Sequence, residues 1–229
     1  MIVSNRWETV SMSRFLSTTA AALFGAALLA APASANLVIT GTSATPAPHG
    51  TGAGENNFRN DIESALGGTL GTGTLEFVTG GMLTLAWDVV LTFTEVGHES
   101  GFSNSFTDGT NTISETGADP SNLFGGGGDS FSGIYGPGDL ADLEFTTTSG
   151  GINAKMGQGG FGIFYDTADL SKFFLGFDDS GAGPDDNHDD YVVMVEVAPV
   201  PLPAGVLLLG LGLAGVGGVR AIQARRKAA

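Results

Sequence analysis

The sequence predicts an all-β domain, an antiparallel β-sandwich of jelly-roll-like type with one short helix. Three observations indicate this fold class. Apolar and polar residues alternate over several short segments, which is the period-two pattern of half-buried strands. Glycine accounts for 37 of the 229 residues and separates these segments as turns do. Aromatic residues still make up 9% of the chain, so the composition favours a packed core over disorder.

The N-terminal segment has the layout of a secretory signal peptide over residues 1–35, with Met12 as the more natural start. Arg14 precedes an apolar stretch at residues 20–31, and a small-x-small cleavage site, Ala33-Ser34-Ala35, follows it. An uncleaved anchor is the alternative, but the apolar stretch is short for a membrane span. The β-sandwich is therefore expected over residues 36–198.

Composition excludes several function classes for this domain. Between residues 36 and 203 there are 23 acidic residues and three basic ones, Arg59, Lys155 and Lys172. So acidic a surface repels the phosphates of nucleic acid, and nucleic-acid binding is not expected. The chain has no cysteine, which excludes disulfides, a thiol nucleophile and thiolate metal sites. The charge balance favours cations as partners, or solubility alone.

Two elements are expected at the start of the domain. Residues 37–40 form a short first strand, and a loop rich in glycine, proline and threonine follows it. Residues 57–66 form the single short helix, and Gly67 can end it. The helix has one apolar face, made by Phe58, Ile62, Ala65 and Leu66.

The longest alternating stretch predicts the middle of the sheet. A strand begins at Thr74, and Gly80-Gly81 is expected as a hairpin turn. Residues 83–93 then place six apolar side chains on one face and polar side chains on the other. This pattern predicts one long strand with a bend or a bulge.

Further short strands are expected from the same alternation later in the chain. The last of them, residues 191–197, is apolar on both faces at most positions, as central strands are. The other strands are expected at residues 103–106, 111–114, 142–148, 161–165 and 172–177.

An acidic loop between the last two predicted strands is the strongest candidate site. Six aspartates fall within residues 178–190, and glycine and proline let this loop fold back on itself. Carboxylates this close repel one another unless a cation or water separates them, and oxygen donors of this kind bind Ca²⁺. A solvated loop without an ion is the alternative. The candidate Ca²⁺ ligands are Asp178, Asp179, Asp185, Asp186, Asn187, Asp189 and Asp190.

The remaining polar motifs do not indicate catalysis. The histidines, at positions 49, 98 and 188, show no zinc-binding spacing, so a zinc hydrolase is not expected. His188 would be a transition-metal ligand or, more commonly, an exposed or carboxylate-bonded histidine. His98 and Glu99 lie near a serine, as parts of a catalytic triad would. The chain has no Gly-x-Ser-x-Gly elbow, so chance explains this pairing better. We therefore predict a non-enzymatic protein without catalytic residues.

The C-terminal segment has three parts. A proline-spaced motif at residues 199–205 comes first. An uncharged run of 16 residues, 204–219, follows it. As a helix this run is ~24 Å long, slightly less than the ~30 Å hydrocarbon core, and extension to residue 222 supplies the missing length. The run therefore predicts a transmembrane helix over 204–222. Residues 223–229 are basic, which predicts a cytoplasmic end. The motif itself consists of Val200, Pro201, Leu202, Pro203, Ala204 and Gly205.

This tail resembles the VPLPA-CTERM variant of the PEP-CTERM sorting signals of Gram-negative bacteria. The resemblance implies recognition by an exosortase, a membrane peptidase that cuts near the motif, while the chain is held in the inner membrane. It also implies export to the cell surface or extracellular matrix, in the company of exopolysaccharide or biofilm. We therefore expect an exported surface protein.

Internal segments are similar to ectodomains with the same type of tail. Residues 176–179 and 187–193 match the segments that flank a closing loop in many of them, and residues 97–105 match a third segment, with Ser100 where alanine is usual. The resemblance implies a compartment and a fold more than an activity. The alternatives are a Ca²⁺-dependent carbohydrate-binding module and, less favoured, a secreted hydrolase.

Overall fold

The computed structural model describes residues 37–43, 58–69, 71, 73–98, 102–115, 128–148, 151–179 and 188–201. The predicted signal peptide, transmembrane helix and basic tail lie outside these ranges. The same holds for Leu202, Pro203, Ala204 and Gly205 of the motif and for Asp185, Asp186 and Asn187 of the predicted Ca²⁺ site. In the described part of the chain, no helix is long and apolar enough to cross a bilayer.

The described residues form an all-β domain with one helix, as the alternating pattern predicts. The helix is α1 (Phe58–Leu66). The strands are β1 (Leu37–Ser43), β2 (Leu75–Leu85), β3 (Val89–Gly97), β4 (Asn104–Thr107), β5 (Thr112–Ser114), β6 (Ser130–Tyr135), β7 (Gly138–Asp139), β8 (Glu144–Thr147), β9 (Ala154–Lys155), β10 (Phe161–Asp166), β11 (Asp169–Phe177) and β12 (Tyr191–Pro199).

The larger sheet has eight strands, and all of its pairings are antiparallel. Its order is β1-β2-β10-β11-β12-β3-β6. β12 lies between β11 and β3, so the prediction that the last strand is central is confirmed. The short β7 follows β6 and pairs with the end of β2, where Thr84 donates a 2.6 Å hydrogen bond to Asp139. This pairing brings the β6 edge of the sheet back towards β2.

The smaller sheet, of order β5-β4-β8-β9, packs against the larger one. Phe106 on β4 lies 5.1 Å from Phe93 on β3, measured between ring centroids. Phe145 on β8 lies 4.9 Å from Phe161 and 5.0 Å from Phe177. Each buried ring contributes roughly 1.5–3 kcal/mol of hydrophobic stabilisation. The main core therefore lies between the two sheets.

Helix α1 covers a second, smaller core. Ile62 is buried against Leu75, Phe77, Phe164 and Phe174 of the larger sheet. A helix of nine residues is marginal in isolation, so this apolar contact stabilises it. Lys172 Nζ donates a 2.8 Å hydrogen bond to the Ala65 carbonyl in the last turn, and Gly67, with φ of 82°, ends the helix as predicted.

Two expectations about the longest alternating stretch were wrong. Gly80-Gly81 does not form a hairpin turn but lies inside β2, where β1 shifts its register between Thr40 and Thr42. A Cβ on Gly81 would stand 2.9 Å from the Thr40 carbonyl oxygen, so glycine here permits the close approach of β1.

The stretch at 83–93 is also two strands and not one. The chain leaves the sheet at residues 86–88, because β2 lies beside β10 while β3 lies beside β12. Trp87 sits on this connection and is 62% exposed, although its alternation placed it on the buried face. The predicted short strands at 37–40, 103–106, 111–114, 142–148, 161–165 and 172–177 correspond to β1, β4, β5, β8, β10 and β11.

Candidate functional site

The two ends of the predicted acidic loop are held side by side. Asp178 and Asp179 follow β11, Asp189 and Asp190 precede β12, and the two strands are hydrogen-bonded up to Phe177 and Tyr191. Asp178, Asp179 and Asp189 are buried and Asp190 is half-buried. The structure therefore brings together these four predicted ligands and places them inside the domain.

Main-chain hydrogen bonds fix the first of these ends. The Asp179 amide donates a 2.8 Å hydrogen bond to Asp190 Oδ2. The Ile152 amide donates a 2.8 Å bond to the Asp179 carbonyl, and the Asp178 amide donates a 3.1 Å bond to the Gly160 carbonyl. These bonds hold the two carboxylates of residues 179 and 190 next to each other although like charges repel.

Asn104, the first residue of β4, reaches this pair from the smaller sheet. Its Nδ2 donates a 3.0 Å hydrogen bond to Asp179 Oδ2 and lies 3.5 Å from the Asp190 carbonyl oxygen. The side chain is 1% exposed, and its Oδ1 has no hydrogen-bond partner. Asn104 therefore presents a buried, unsatisfied acceptor beside two carboxylates.

Two further carboxylates interact electrostatically with this region, since the charges of Glu95 and Asp179 both act on Glu115. Glu95 lies on β3 and is buried, and Glu115 follows β5 directly. The Glu115 amide donates a 3.1 Å hydrogen bond to the Asn104 carbonyl. We call the set Glu95, Asn104, Glu115, Asp178, Asp179 and Asp190 the acidic junction, because its members come from both sheets.

The acidic junction perturbs the titration of its own members. Burial, with a smaller contribution from the charges of Glu95 and Asp179, raises the pKa of Glu115 to about 7, although hydrogen bonds to Asn104 oppose the shift. Burial and the charges of Asp179 and Asp178 likewise raise the pKa of Asp190 well above its usual range, against the hydrogen bond with the Asp179 amide. Both shifts mark a region where negative charge is costly.

Tyr191 completes the buried surroundings. Its ring packs edge-on against Phe145 with centroids 6.0 Å apart, and the residue is fully buried. Burial, then the charges of Glu95, Glu115 and Asp129, raises the pKa of its phenol above the ordinary range. The hydroxyl has no hydrogen-bond partner. A second unsatisfied polar atom thus lies close to the acidic junction.

The two described lysines are engaged elsewhere. Lys155 Nζ lies 3.6 Å from Glu144 Oε2 on the smaller sheet, and Lys172 Nζ contacts the Ala65 carbonyl of α1. Neither is therefore placed to neutralise the acidic junction. Within the described ranges, no group of three or more His, Asp and Glu side chains is arranged to hold a metal ion. A cation would also need amide or carbonyl oxygens, which Ca²⁺ accepts readily.

His188 does not have the setting expected from its sequence neighbours. It is fully buried, adopts φ of 62°, and its Nε2 is 2.8 Å from the Gly159 carbonyl oxygen. Its ring meets Phe77 edge-on at 5.3 Å. Of the two alternatives for this histidine, exposure is therefore wrong, and the ring packs against Phe77 just before β12 begins.

A shallow cavity of about 280 Å³ opens beside Asp178. Its polar walls are the side chains of Asn153 and Gln158. The Thr147 amide donates a 2.9 Å hydrogen bond to Asn153 Oδ1, and the Lys155 amide donates a 2.7 Å hydrogen bond to Gln158 Oε1. The exposed side chain of Ile152 adds an apolar wall. The lining of the cavity therefore combines polar and apolar groups.

The described residues assemble no nucleophile–base pair around His98. Its two ring nitrogens make no hydrogen bond, although the residue is buried. A triad needs the nucleophile and the orienting acid within hydrogen-bond reach of the imidazole. The resemblance of His98-Glu99 to part of a triad therefore gains no support from the described residues.

Comparisons with known proteins found no relative: no protein-family model matches the chain, and neither curated proteins nor solved structures give a significant match.

Sequence reasoning missed the half of the acidic junction that lies outside the acidic loop. Glu95 carried a readable signal, because it occupies the same face of β3 as Val89, Leu91 and Phe93, where an apolar residue is expected. The sequence around Asn104 and Glu115 contains no such signal. They belong to short, weakly patterned strands, and only the packing of the smaller sheet on the larger one brings them to Asp179.

Proposed function

We propose that the protein is exported and is processed by an exosortase-type peptidase at its C-terminal motif, and that its body serves without catalysis at the cell surface or in the extracellular matrix. A β-sandwich with the jelly-roll-like order expected from the sequence is the body that is displayed. Exopolysaccharide is the material around it.

The position of the motif relative to β12 is the observation that carries this proposal. β12 is an inner strand of the larger sheet, between β11 and β3, and its last ladder pair joins Pro199 to Val89. Val200 is half-buried and Pro201 is exposed, directly after that pair. Cutting beyond Pro201 would therefore leave every described strand intact.

The proline spacing supports recognition by a peptidase. Proline disfavours the helical conformation in the residue before it, so Val200 and Leu202 are biased towards extended backbone. Extended segments fit protease clefts, which bind substrates as added strands. The two prolines would thus prevent the transmembrane helix from extending towards the N-terminus into the segment that the peptidase cuts.

The test is a paired proline substitution. The full-length chain carrying Pro201→Ala and Pro203→Ala should be exported but retain its tail, so its mass stays higher and it stays with the inner-membrane fraction. Pro137→Ala, in the exposed turn between β6 and β7, is the matched control and should be processed normally. Processing of the double variant at the wild-type position would contradict the proposal.

The cavity beside Asp178 favours a second candidate, a Ca²⁺-dependent carbohydrate-binding module. The cavity adjoins the acidic junction, and Asn153 and Gln158 offer amide groups for sugar hydroxyls. A sugar platform needs exposed aromatic rings, and Trp87 is strongly exposed, whereas Tyr191 is buried and Tyr135 and Tyr165 are half-buried. Trp87 stands near the opposite end of β12 from Tyr191, so an extended chain would have to span both places.

Calorimetry separates this second candidate from the first. The full-length protein in mild detergent is titrated with a soluble anionic polysaccharide, with and without CaCl₂. A module of this kind would give heat only with Ca²⁺, and Asn153→Ala would reduce the affinity. Thr110→Ala, in the exposed turn after β4, is the control. The absence of heat under both conditions would remove this candidate and leave the first untouched.

A further inference from the structure

We propose that the end of the domain around Trp87 docks on the surface of a lipid bilayer while the C-terminal segment anchors the chain. We call Trp87, Val90, Ile134 and Ala198 the apolar end, because they lie where both termini of the fold meet the larger sheet. The partner is a bilayer of zwitterionic lipid. Docking rests on the membrane anchor of the proposed function, but not on cleavage at the motif.

Both termini of the fold lie beside the connection that carries Trp87. This connection, residues 86–88, joins β2 to β3. Leu37, at the start of β1, pairs with the last residue of β2. Pro199, at the end of β12, pairs with the first residue of β3. The chain therefore enters and leaves the larger sheet next to Trp87.

The predicted membrane helix begins a short distance from this connection. The uncharged run starts at Ala204, five residues after Pro199, so even a fully extended chain places its start within about 18 Å of the sheet. Trp87 is two residues from Val89, the partner of Pro199, so its Cα lies within about 13 Å of the Pro199 Cα. An anchor at this position holds the apolar end within reach of the bilayer.

The exposed side chains at this end suit a lipid interface. Trp87 is 62% exposed and Ile134 is 67% exposed. Ile134 pairs with Val90, and Val90 pairs with Ala198, so these residues form one row across β6, β3 and β12. The row faces away from the main core, since Val89, the neighbour of Val90, belongs to that core. Tryptophan favours the boundary between hydrocarbon and water because its ring is apolar and its N–H is polar.

A polar row limits how deeply this end can enter a bilayer. Two residues further along each strand, the same face carries Glu196, Thr92 and Ser132. The hydroxyls of Thr92 and Ser132 share a 2.8 Å hydrogen bond. Apolar side chains at the tip with polar side chains behind them are typical of a surface that enters only the interfacial layer.

Charge selects the type of lipid. Asp88 is exposed next to Trp87, and 23 acidic residues face three basic ones between positions 36 and 203. An anionic bilayer would therefore repel the domain, whereas zwitterionic lipid would not. The same charge opposes a second copy of the chain as the partner, because both copies would be strongly acidic. Attraction to the bilayer therefore comes from the apolar side chains.

The decisive experiment uses the fluorescence of Trp87 in the full-length protein. The chain has two tryptophans, Trp7 and Trp87, so Trp7→Phe leaves a single reporter. This variant is reconstituted into phosphatidylcholine vesicles with or without bromine on the acyl chains, since bromine quenches tryptophan at short range. Flotation with the vesicles measures anchoring, and quenching measures docking. We expect the floated protein to lose about half of its Trp87 emission in brominated vesicles, as interfacial tryptophans lie next to the acyl chains.

The matched control moves the reporter to the other end of the domain. Ile152→Trp is made together with Trp7→Phe and Trp87→Phe. Ile152 is 57% exposed, and its amide donates a hydrogen bond to the carbonyl of Asp179, beside the start of β12. The nine residues of β12 separate the two ends by about 26 Å. The reporter at position 152 should therefore float equally well and lose at most about a tenth of its emission.

Two further conditions test the chemistry of docking in the Trp7→Phe background. Ile134→Ser removes an exposed apolar side chain, so it should reduce the quenching of Trp87 at least about twofold without changing flotation. Vesicles with half of the lipid replaced by phosphatidylglycerol should also quench Trp87 less, because their surface is anionic. Equal quenching in both vesicle types and in Ile134→Ser would contradict docking through the apolar end.

Failure of docking and failure of the anchor give different results. Flotation without quenching of Trp87 would overturn the docking alone and leave the anchor in place. A chain that does not float would overturn both. Equal quenching at positions 87 and 152 would show that the domain has no preferred end. Emission that shifts with protein concentration in detergent, and not with lipid, would assign the apolar end to a second copy and overturn the proposal.

Discussion

The side-chain amide of Asn104 donates a 3.0 Å hydrogen bond to Oδ2 of Asp179, 75 residues further along the chain. Asn104 opens β4 in the smaller sheet, and Asp179 follows β11 in the larger one. The bond is buried, so it ties the two sheets together where four further carboxylates gather. Stability and charge are therefore coupled at this contact.

Asn104→Ala should destabilise the protein by about 1–3 kcal/mol, because a buried hydrogen bond to a charged group is lost and the Asp179 carboxylate keeps its burial. The measurement is the urea midpoint of the full-length protein with EDTA present. The control is Asn111→Ala, whose Nδ2 donates an exposed 3.2 Å bond to Asp108 and which should cost less than about 1 kcal/mol. Equal losses in the two variants would contradict the special position of Asn104.

In EDTA, the protein should become less stable as the pH rises through neutrality. The pKa of Glu115 is about 7 in the folded state, above its ordinary value of 4.5, so the folded state holds a proton that the unfolded state has released. This contribution is complete below the unfolded pKa and is lost as the pH rises through the folded pKa. Asp190, whose pKa is also raised, acts in the same direction.

The expected decrease in melting temperature between about pH 5 and pH 8 is a few degrees, since Glu115 is only partly buried and solvent screens part of the effect. The neighbouring groups are Glu95, Asp179 and Asn104. Glu115→Gln should flatten the dependence, and Glu144→Gln should leave it as in wild type. A wild-type melting temperature that rises over this range in EDTA is the opposite of what these shifts require.

The phenols of the chain should resist ionisation until it unfolds. There are three tyrosines, at positions 135, 165 and 191, and burial is the first cause that raises the pKa of each. For Tyr135 the hydrogen bond that its hydroxyl donates to Asp108 adds to the shift. A spectrophotometric titration at about pH 10 should therefore show much less than half of the phenolate that the urea-unfolded chain shows. A normal titration curve for the native protein would count against this packing.

Gly176→Ala should be strongly destabilising. Gly176 lies in β11 opposite Val192, and a Cβ there would overlap the His188 carbonyl oxygen and stand 2.8 Å from the Phe164 ring. The backbone at His188 would have to move, which costs about 1–3 kcal/mol or more. Gly159→Ala is the matched control, because a Cβ at that position meets nothing within 4 Å. Chemical unfolding of the two variants checks the difference.

The sequence indicated the framework well where the pattern was strong. β12 was expected to be central because Val192, Val193 and Val195 are apolar on both faces, and the structure places it between β11 and β3. α1 was expected from one apolar face, and Ile62 is buried on that face. These predictions succeeded because the face of a strand or helix that is buried follows directly from the spacing of apolar residues along the sequence.

Long-range contacts could not be predicted in the same way. The apolar alternation continues through Trp87, so nothing local separates β2 from β3; the separation arises because the two strands take places on opposite sides of β10, β11 and β12. The acidic junction has the same origin. Asp178, Asp179 and Asp190 were expected as ligands, but Asn104 and Glu115 reach them only through the packing of one sheet on the other.

The intact mass of the protein recovered from each cell fraction tests the proposed function most directly. We expect a surface or extracellular form that begins at Asn36 and ends within the motif at residues 200–205, so that neither terminal segment remains. A full-length chain found in the cytoplasm with both terminal segments intact would contradict the account.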